Sequence, residues 1–363
     1  MGLFSSLFSK DKPIRSYEDF WHWFAKHEKE FHKAVRTQSN IERDFFKIIS
    51  PKLAEVKDGF YYLTGMSDDK TVELVLTADG AIKNIPFVEE LVNSAPQIDG
   101  WLFTALKPAL NIRDVSINLN GYTFNESNLS FYANEHANFP DEIDITIVHA
   151  EFDEENKKTL TNGTYIFLDN FLGELNFATT IDNLVVTGKD KAEKELIPIE
   201  KLRDYLVWRQ KEFVEKYEGV RHNTENDNYS LLKAGMKNGN ELIATINTDL
   251  LEWDSKASHP YILHVEIPYN SKGNKGMPDE ETYKLLGNIE EEIEGRLPDS
   301  KGYLNIGRQT AESLRENYFA CKDFRNASKE MHEISVAYAP KVEIKYDIYK
   351  DKYWRSFDRF RTA

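Results

Sequence analysis

The stretch from His259 to Tyr318 constrains this chain more than any other. It opens with an apolar run, H-P-Y-I-L-H-V-E-I-P-Y from His259 to Tyr269, which reads as a strand. A glycine-bearing loop leads into Asp279 to Arg296, where Leu285, Leu286, Ile289 and Ile293 recur at helical spacing on an otherwise acidic segment. Two short alternating runs follow, Lys301 to Thr310 and Leu314 to Cys321. Asp323 to Ala339 then reads as a second helix and Lys341 to Tyr349 as a last strand. The resulting order, β-α-β-β-α-β, is that of a split βαβ unit. In front of it, Tyr229 to Ala234 and Glu241 to Asn247 flank Asn238-Gly239, a strong hairpin turn signal.

Upstream, Ser16 stands where a helix cap belongs. Phe20, Trp23, Phe24, His27 and Phe31 follow at three- and four-residue spacing. A second helix is expected over Ile41 to Val56, with Ile41, Phe45, Ile48 and Ile49 inward. Phe60 to Met66 and Thr71 to Thr77 read as an antiparallel hairpin, then a helix around Phe87 to Ser94 and an apolar element from Trp101. Strands are expected at Val115 to Leu119, Asn128 to Ala133 and Glu142 to Ala150, a helix near Tyr165 to Leu175, and a strand at Asp182 to Thr187. Ile197 to Tyr217 reads as a long helix with Pro198 in its first turn and Leu202, Tyr205, Leu206, Trp208 and Phe213 on its apolar face. The polar stretch Gly219 to Asn228 is the best boundary. The expected division is therefore a helical segment 1–57, an α+β domain 58–218, a linker 219–228 and a C-terminal domain 229–360.

Composition narrows the function classes. A net charge of -15 argues against a broad nucleic-acid footprint. With 22 Phe, 18 Tyr and 6 Trp, the chain is too aromatic to be a solvating, disordered one. Its one cysteine, Cys321, excludes an internal disulfide and fits a reducing, cytoplasmic setting. No apolar run is long enough to span a membrane. At the N-terminus, Leu3, Phe4, Leu7 and Phe8 share a helical face, and Gly2 with Ser6 meets a loose acylation pattern. Docking on its own protein is the first reading of that segment, and a weak membrane contact the second.

The residues that most invite a chemical reading mostly fail on spacing. His27 and His32, like His22 and His27, stand about 140° apart around a helix, too far to share one metal ion. Cys321 ends an apolar alternating run and reads as a buried thiol. The loop G-N-K-G-M-P, Gly273 to Pro278, lacks a phosphate-cradling arrangement and reads as a turn into a helix. The acidic helix carries Glu290, Glu291, Glu292 and Glu294, expected to form a solvated face or, second, a docking surface for a basic partner. Arg308 and Arg315 are sharper, because a hairpin brings them near each other and two guanidinium groups need an anion. That anion is expected to be Glu316 or an acid of the neighbouring helix such as Glu290, or else a partner's carboxylate or phosphate. A one-residue slip would place the two arginines on opposite faces. No metal and no cofactor is expected.

Several motifs in this region resemble the family catalogued as domain of unknown function 695. They are A-T-I-N at Ala244 to Asn247, the run from His259 to Tyr269, G-M-P-D-E-E from Gly276 to Glu281 and I-E-E at Ile289 to Glu291. They continue with G-R-Q-T at Gly307 to Thr310, R-E-N-Y-F-A-C from Arg315 to Cys321 and D-K-Y-W-R-S-F from Asp351 to Phe357. The departures, Met277 in a G-L-P pattern and Phe357 for a Tyr, are volume-tolerant. That family is similar in fold to the RNase E activity regulator B family, so the resemblance implies a ferredoxin-like C-terminal domain and action by binding protein. The expectation is an α+β protein of two domains, both with antiparallel sheets and helices, the C-terminal one ferredoxin-like with an extra N-terminal hairpin. Its function would be non-catalytic protein binding or regulation. The alternative is a metal-dependent hydrolase or nucleotide-handling enzyme with a site between the domains.

Overall fold

The computed structural model describes residues 13–361. The apolar N-terminal face at Leu3, Phe4, Leu7 and Phe8, with its acylation pattern, lies outside the described residues. Among the described residues, no helix is long and apolar enough to cross a membrane. The protein is α+β, and its contacts divide it into two compact units. One runs to Asn125 and includes Thr161–Ala178; the other comprises Glu126–Leu160 and the chain from Thr179 onward.

In the first unit, α1 (Tyr17–Thr37) begins where Ser16 caps it, the hydroxyl accepting from the Asp19 N–H at 3.1 Å. It buries Phe20, Trp21, Trp23, Phe24 and Phe31. The next helix opens with a π-helical turn, Glu42–Phe46, and continues as α2 (Lys47–Val56). Phe45, Ile49 and Leu53 form its inward row at four-residue spacing, which leaves Ile48 on the flank, 39% exposed. Strands β1 (Tyr61–Met66) and β2 (Val72–Thr77) pair antiparallel. Helix α3 (Ile85–Asn93) then carries the chain to β3 (Trp101–Ala105), parallel to β2. A small ribbon follows, β4 (Ile117–Leu119) with β5 (Tyr122–Phe124).

The second unit opens with the antiparallel pair β6 (Leu129–Asn134) and β7 (Asp144–His149). Helices α4 (Lys157–Leu172) and α5 (Glu174–Thr180), which belong to the first unit over Thr161–Ala178, precede β8 (Asn183–Thr187), which is parallel to β7. The two larger upstream sheets are therefore mixed and not antiparallel as expected, because a helical crossover between neighbouring strands makes them run the same way. The predicted helix over Ile197 to Tyr217 also starts later. Ile197–Pro198 forms a two-residue strand, β9, on β6, and α6 covers Leu202–Tyr217. A proline lacking an N–H is tolerated at such an edge. Leu202 and Leu206 of α6 are buried, whereas Trp208 is 52% exposed.

The rest of this unit is one sheet with its flanking helices. Its elements are β10 (Tyr229–Gly235), β11 (Glu241–Asn247), α7 (Thr248–Glu252), β12 (Tyr261–Pro268), α8 (Glu280–Arg296), β13 (Tyr303–Ala311), β14 (Leu314–Cys321), α9 (Phe324–Tyr338) and β15 (Lys345–Lys350). The six strands lie in the order β10-β11-β13-β14-β12-β15, with every neighbouring pair antiparallel. Strand β14 thus lies between β13 and β12, the two strands that α8 connects. Along β12, Leu263, Val265 and Ile267 are fully buried on one face. On the other, Ile262 joins Leu304, Ile306, Tyr318 and Ala320 beneath Leu250, Leu251, Trp354, Phe357 and Phe360. The Trp354 indole N–H is satisfied inside this core by the His259 carbonyl at 2.9 Å. The polar stretch 219–228 lies within the second unit, where the Thr224 N–H donates to Asp299 at 2.9 Å.

Candidate functional site

The site is built on the β13–β14 hairpin. Ala311 faces Leu314 across a two-residue turn in which Glu312 and Ser313 both have positive φ, 50° and 66°. Further down, the register shifts between Asn305 and Gly307, so Ile306 is an extra residue in β13. Gly307 has φ 142°, and a Cβ there would collide with the Thr245 carbonyl of β11. Between the turn and this bulge the register is unbroken, so Arg308 lies opposite Asn317 and Thr310 opposite Arg315, which puts both arginines on one face, the face covered by α8.

Helix α8 supplies the anion. Arg308 Nη1 donates to both carboxylate oxygens of Glu290 at 2.8 Å, and Arg315 Nη1 lies 3.5 Å from Glu290 Oε2. Arg315 Nε also donates to Thr310 Oγ1 at 2.6 Å. Arg315 is only 3% exposed, and burial pulls its proton affinity down. Burial acts the same way on Arg308, but Glu290 outweighs it and leaves that guanidinium above its ordinary value. Glu290 itself is buried, so the helix does not present a wholly solvated acidic face.

Glu316 does not join this group. It lies opposite Gln309 and Glu266, so alternation sends it to the other face of the sheet. There Gln309 Nε2 donates to Oε2 at 2.7 Å and the Tyr318 hydroxyl to Oε1 at 2.9 Å, while His264 Nε2 lies 3.0 Å from Oε1. Burial alone would raise the Glu316 carboxyl, but the bonds from His264 and Tyr318 hold it below its ordinary value. The His264 ring stacks on Tyr318 at 5.0 Å. Ligand atoms of His264, Glu266 and Glu316 all lie within 4.8 Å of one another. The sequence reading missed this convergence. His264 and Glu266 alternate visibly in one strand, but Glu316 joins them only through the β12–β14 register.

A second charged cluster fastens the D-K-Y-W-R-S-F segment. Lys352 Nζ bonds Asp182 at 2.8 Å and the Asp141 carbonyl at 2.7 Å. The Tyr353 hydroxyl bonds Asp141 at 2.6 Å, and Arg355 pairs with Glu142 at 2.8 Å. Lys350 Nζ lies 2.8 Å from Asp182 and donates to the Thr180 carbonyl at 2.9 Å; burial lowers its pKa to about 8. Of these, Glu142, Asp182, Lys350, Lys352 and Arg355 line a cleft of about 300 Å³ but spend their charges on one another.

The other residues singled out in the sequence have local roles. His27 Nδ1 meets the Trp23 carbonyl and His32 Nε2 the Lys70 carbonyl, each at 2.9 Å. Cys321 is fully buried, which pushes its thiol up. The loop before α8 ends in Asp279, whose carboxylate accepts from the Thr282 N–H at 2.9 Å as a helix cap.

Residues 234–360 match a family of unknown function, DUF695. The match runs from the end of β10 through the last helical turn and contains both faces of the hairpin site. No curated protein and no solved structure matches the chain.

Proposed function

We propose that the C-terminal region is a non-catalytic protein-binding module with a ferredoxin-like core, and that it takes an extended segment of its partner as a further strand along β10. The observation that carries this is the state of that edge. Strand β10 ends the sheet order, with Tyr229 48% and Leu231 61% exposed on alternate positions. Natural edge strands are commonly blunted by charge, proline or a covering element. Here Lys233 is the one charged residue of the strand. Main-chain bonds to such an edge supply affinity, and alternate side chains supply specificity.

The surroundings suit a segment that alternates apolar with Lys or Arg side chains. Burial, then the negative field of Glu294, Asp227 and Glu290, raises the Tyr229 hydroxyl. Tyr283 of α8 is 55% exposed, and the whole chain carries -15. The probe is a panel of short peptides alternating Leu or Val with Lys. Hydrogen exchange on the full chain is expected to show peptide-dependent protection of the β10 amides, abolished by Leu231→Lys. Binding that leaves β10 unprotected, or that survives Leu231→Lys, would contradict the proposal.

A further inference from the structure

We infer that His264, Glu266 and Glu316 form a binding site for a divalent transition-metal ion on the sheet face opposite α8. Glu266 and Glu316 stand directly across from each other on β12 and β14. Like charges so placed repel, and a cation between them removes that cost. His264 serves only Glu316; the Glu266 carboxylate has no hydrogen bond or ion pair among the described residues. Lys345 lies opposite Glu266 on β15, but its Nζ is 3.4 Å from Glu343. Of the cross-strand acid pair, Glu316 is hydrogen-bonded and Glu266 is not, among the described residues.

The geometry suits an ion. Ligand atoms bound to one metal at about 2.1 Å stand roughly 3–3.5 Å apart. His264 Nε2 and Glu316 Oε1 are already 3.0 Å apart, and the whole trio falls within 4.8 Å. Rotation of the unpartnered Glu266 side chain closes the remaining gap. Neighbouring bonds orient the ligands as outer-sphere groups do in metal sites: Gln309 and Tyr318 fix the Glu316 carboxylate, and the Tyr318 ring stacks on the imidazole. One imidazole with two carboxylates favours Zn²⁺ or Mn²⁺ over Mg²⁺ or Ca²⁺, which prefer all-oxygen sets. The imidazole binds as the neutral Nδ1–H tautomer, releasing any proton from Nε2. The Arg359 guanidinium lies 3.1 Å from the Tyr318 hydroxyl and over that ring, and its positive charge reaches Glu316.

The test is calorimetric titration of the metal-stripped full chain with Zn²⁺ and with Mn²⁺, with Mg²⁺ as control. One equivalent of Zn²⁺ or Mn²⁺ is expected to bind and to raise the melting temperature. His264→Ala and Glu266→Gln should each weaken binding at least tenfold, and His27→Ala should leave it unchanged. Glu266→Gln removes a carboxylate that holds nothing in the fold, so its effect reads the site and not stability. Absence of saturable binding and of any stabilisation of the wild type up to about 100 µM metal would overturn the inference. So would equal binding by wild type and Glu266→Gln.

Discussion

At the scale of single residues, the Arg308–Glu290–Arg315 group shows how burial decides what an ion pair contributes. Arg315 and Glu290 are almost fully enclosed, whereas the Arg308 side chain is 33% exposed. Arg315→Ala leaves a buried carboxylate short of a partner and is expected to cost about 3–5 kcal/mol in denaturant unfolding. Arg308→Ala, whose place water can take, should cost about 1 kcal/mol. A change within about 0.5 kcal/mol for Arg315→Ala would show that the pair is not a buried one. Lys350 gives a pH signature. Its folded pKa of about 8 lies below the ordinary 10.5, so between those values the unfolded chain holds more protons. Stability should therefore gain from Lys350 as pH rises above about 8, until ordinary tyrosines begin to ionise near pH 10. The difference in unfolding free energy between wild type and Lys350→Met should grow across that window; a flat difference contradicts the shift. The sequence made the two arginines and the need for an acid visible. It did not show which acid, because Glu290 and Glu316 are distinguished only by the face each strand presents.

At the scale of elements, the two-residue turn places the arginines together, because the unbroken register from Ala311–Leu314 to Gly307–Tyr318 keeps Arg308 and Arg315 on one face. The bulge at Ile306 reverses the parity of β13 only beyond Gly307. Gly307 was legible as a glycine in an alternating run, a common mark of a bulge, but its position against Thr245 needed the β11–β13 pairing. Gly307→Ala forces a Cβ onto that carbonyl and is expected to destabilise by about 3 kcal/mol or more. Unfolding within about 1 kcal/mol of wild type would mean that the bulge relaxes freely. In the first unit, Glu174 is a comparable fastening. Its carboxylate accepts from the Thr77 hydroxyl at 2.6 Å and from the N–H groups of Ala78, Gly80 and Lys107 at 3.0, 3.0 and 3.1 Å. Glu174→Ala strands these donors in a buried setting and should cost about 3–5 kcal/mol, read from the melting of the first unit. The helix before Glu174, α4, was harder to read. The start of α4, K-K-T-L-T-N-G-T, offers little apolar periodicity, and β5 and β9 are too short to leave a pattern.

At the scale of the whole molecule, the succession of strands and helices in the C-terminal sheet was readable because most of them are long and clearly periodic. The upstream sheets were not, since parallel or antiparallel pairing is a relation between segments distant in sequence. The same sheet carries the family match, the unpaired β10 edge and both charged clusters of the hairpin. Its core closes on itself through Ile262, Leu304, Ile306, Tyr318, Trp354 and Phe357. The ion pairs from Lys352 and Arg355 to Asp182 and Glu142 are added at its margin. The C-terminal sheet should therefore fold without the chain before it. The direct measurement is the amide NMR spectrum of residues 223–363 expressed alone. A widely dispersed spectrum, with cross-strand contacts between Ile243 and Thr310 and between Glu266 and Glu316, is the predicted result. A narrow, collapsed spectrum would contradict it.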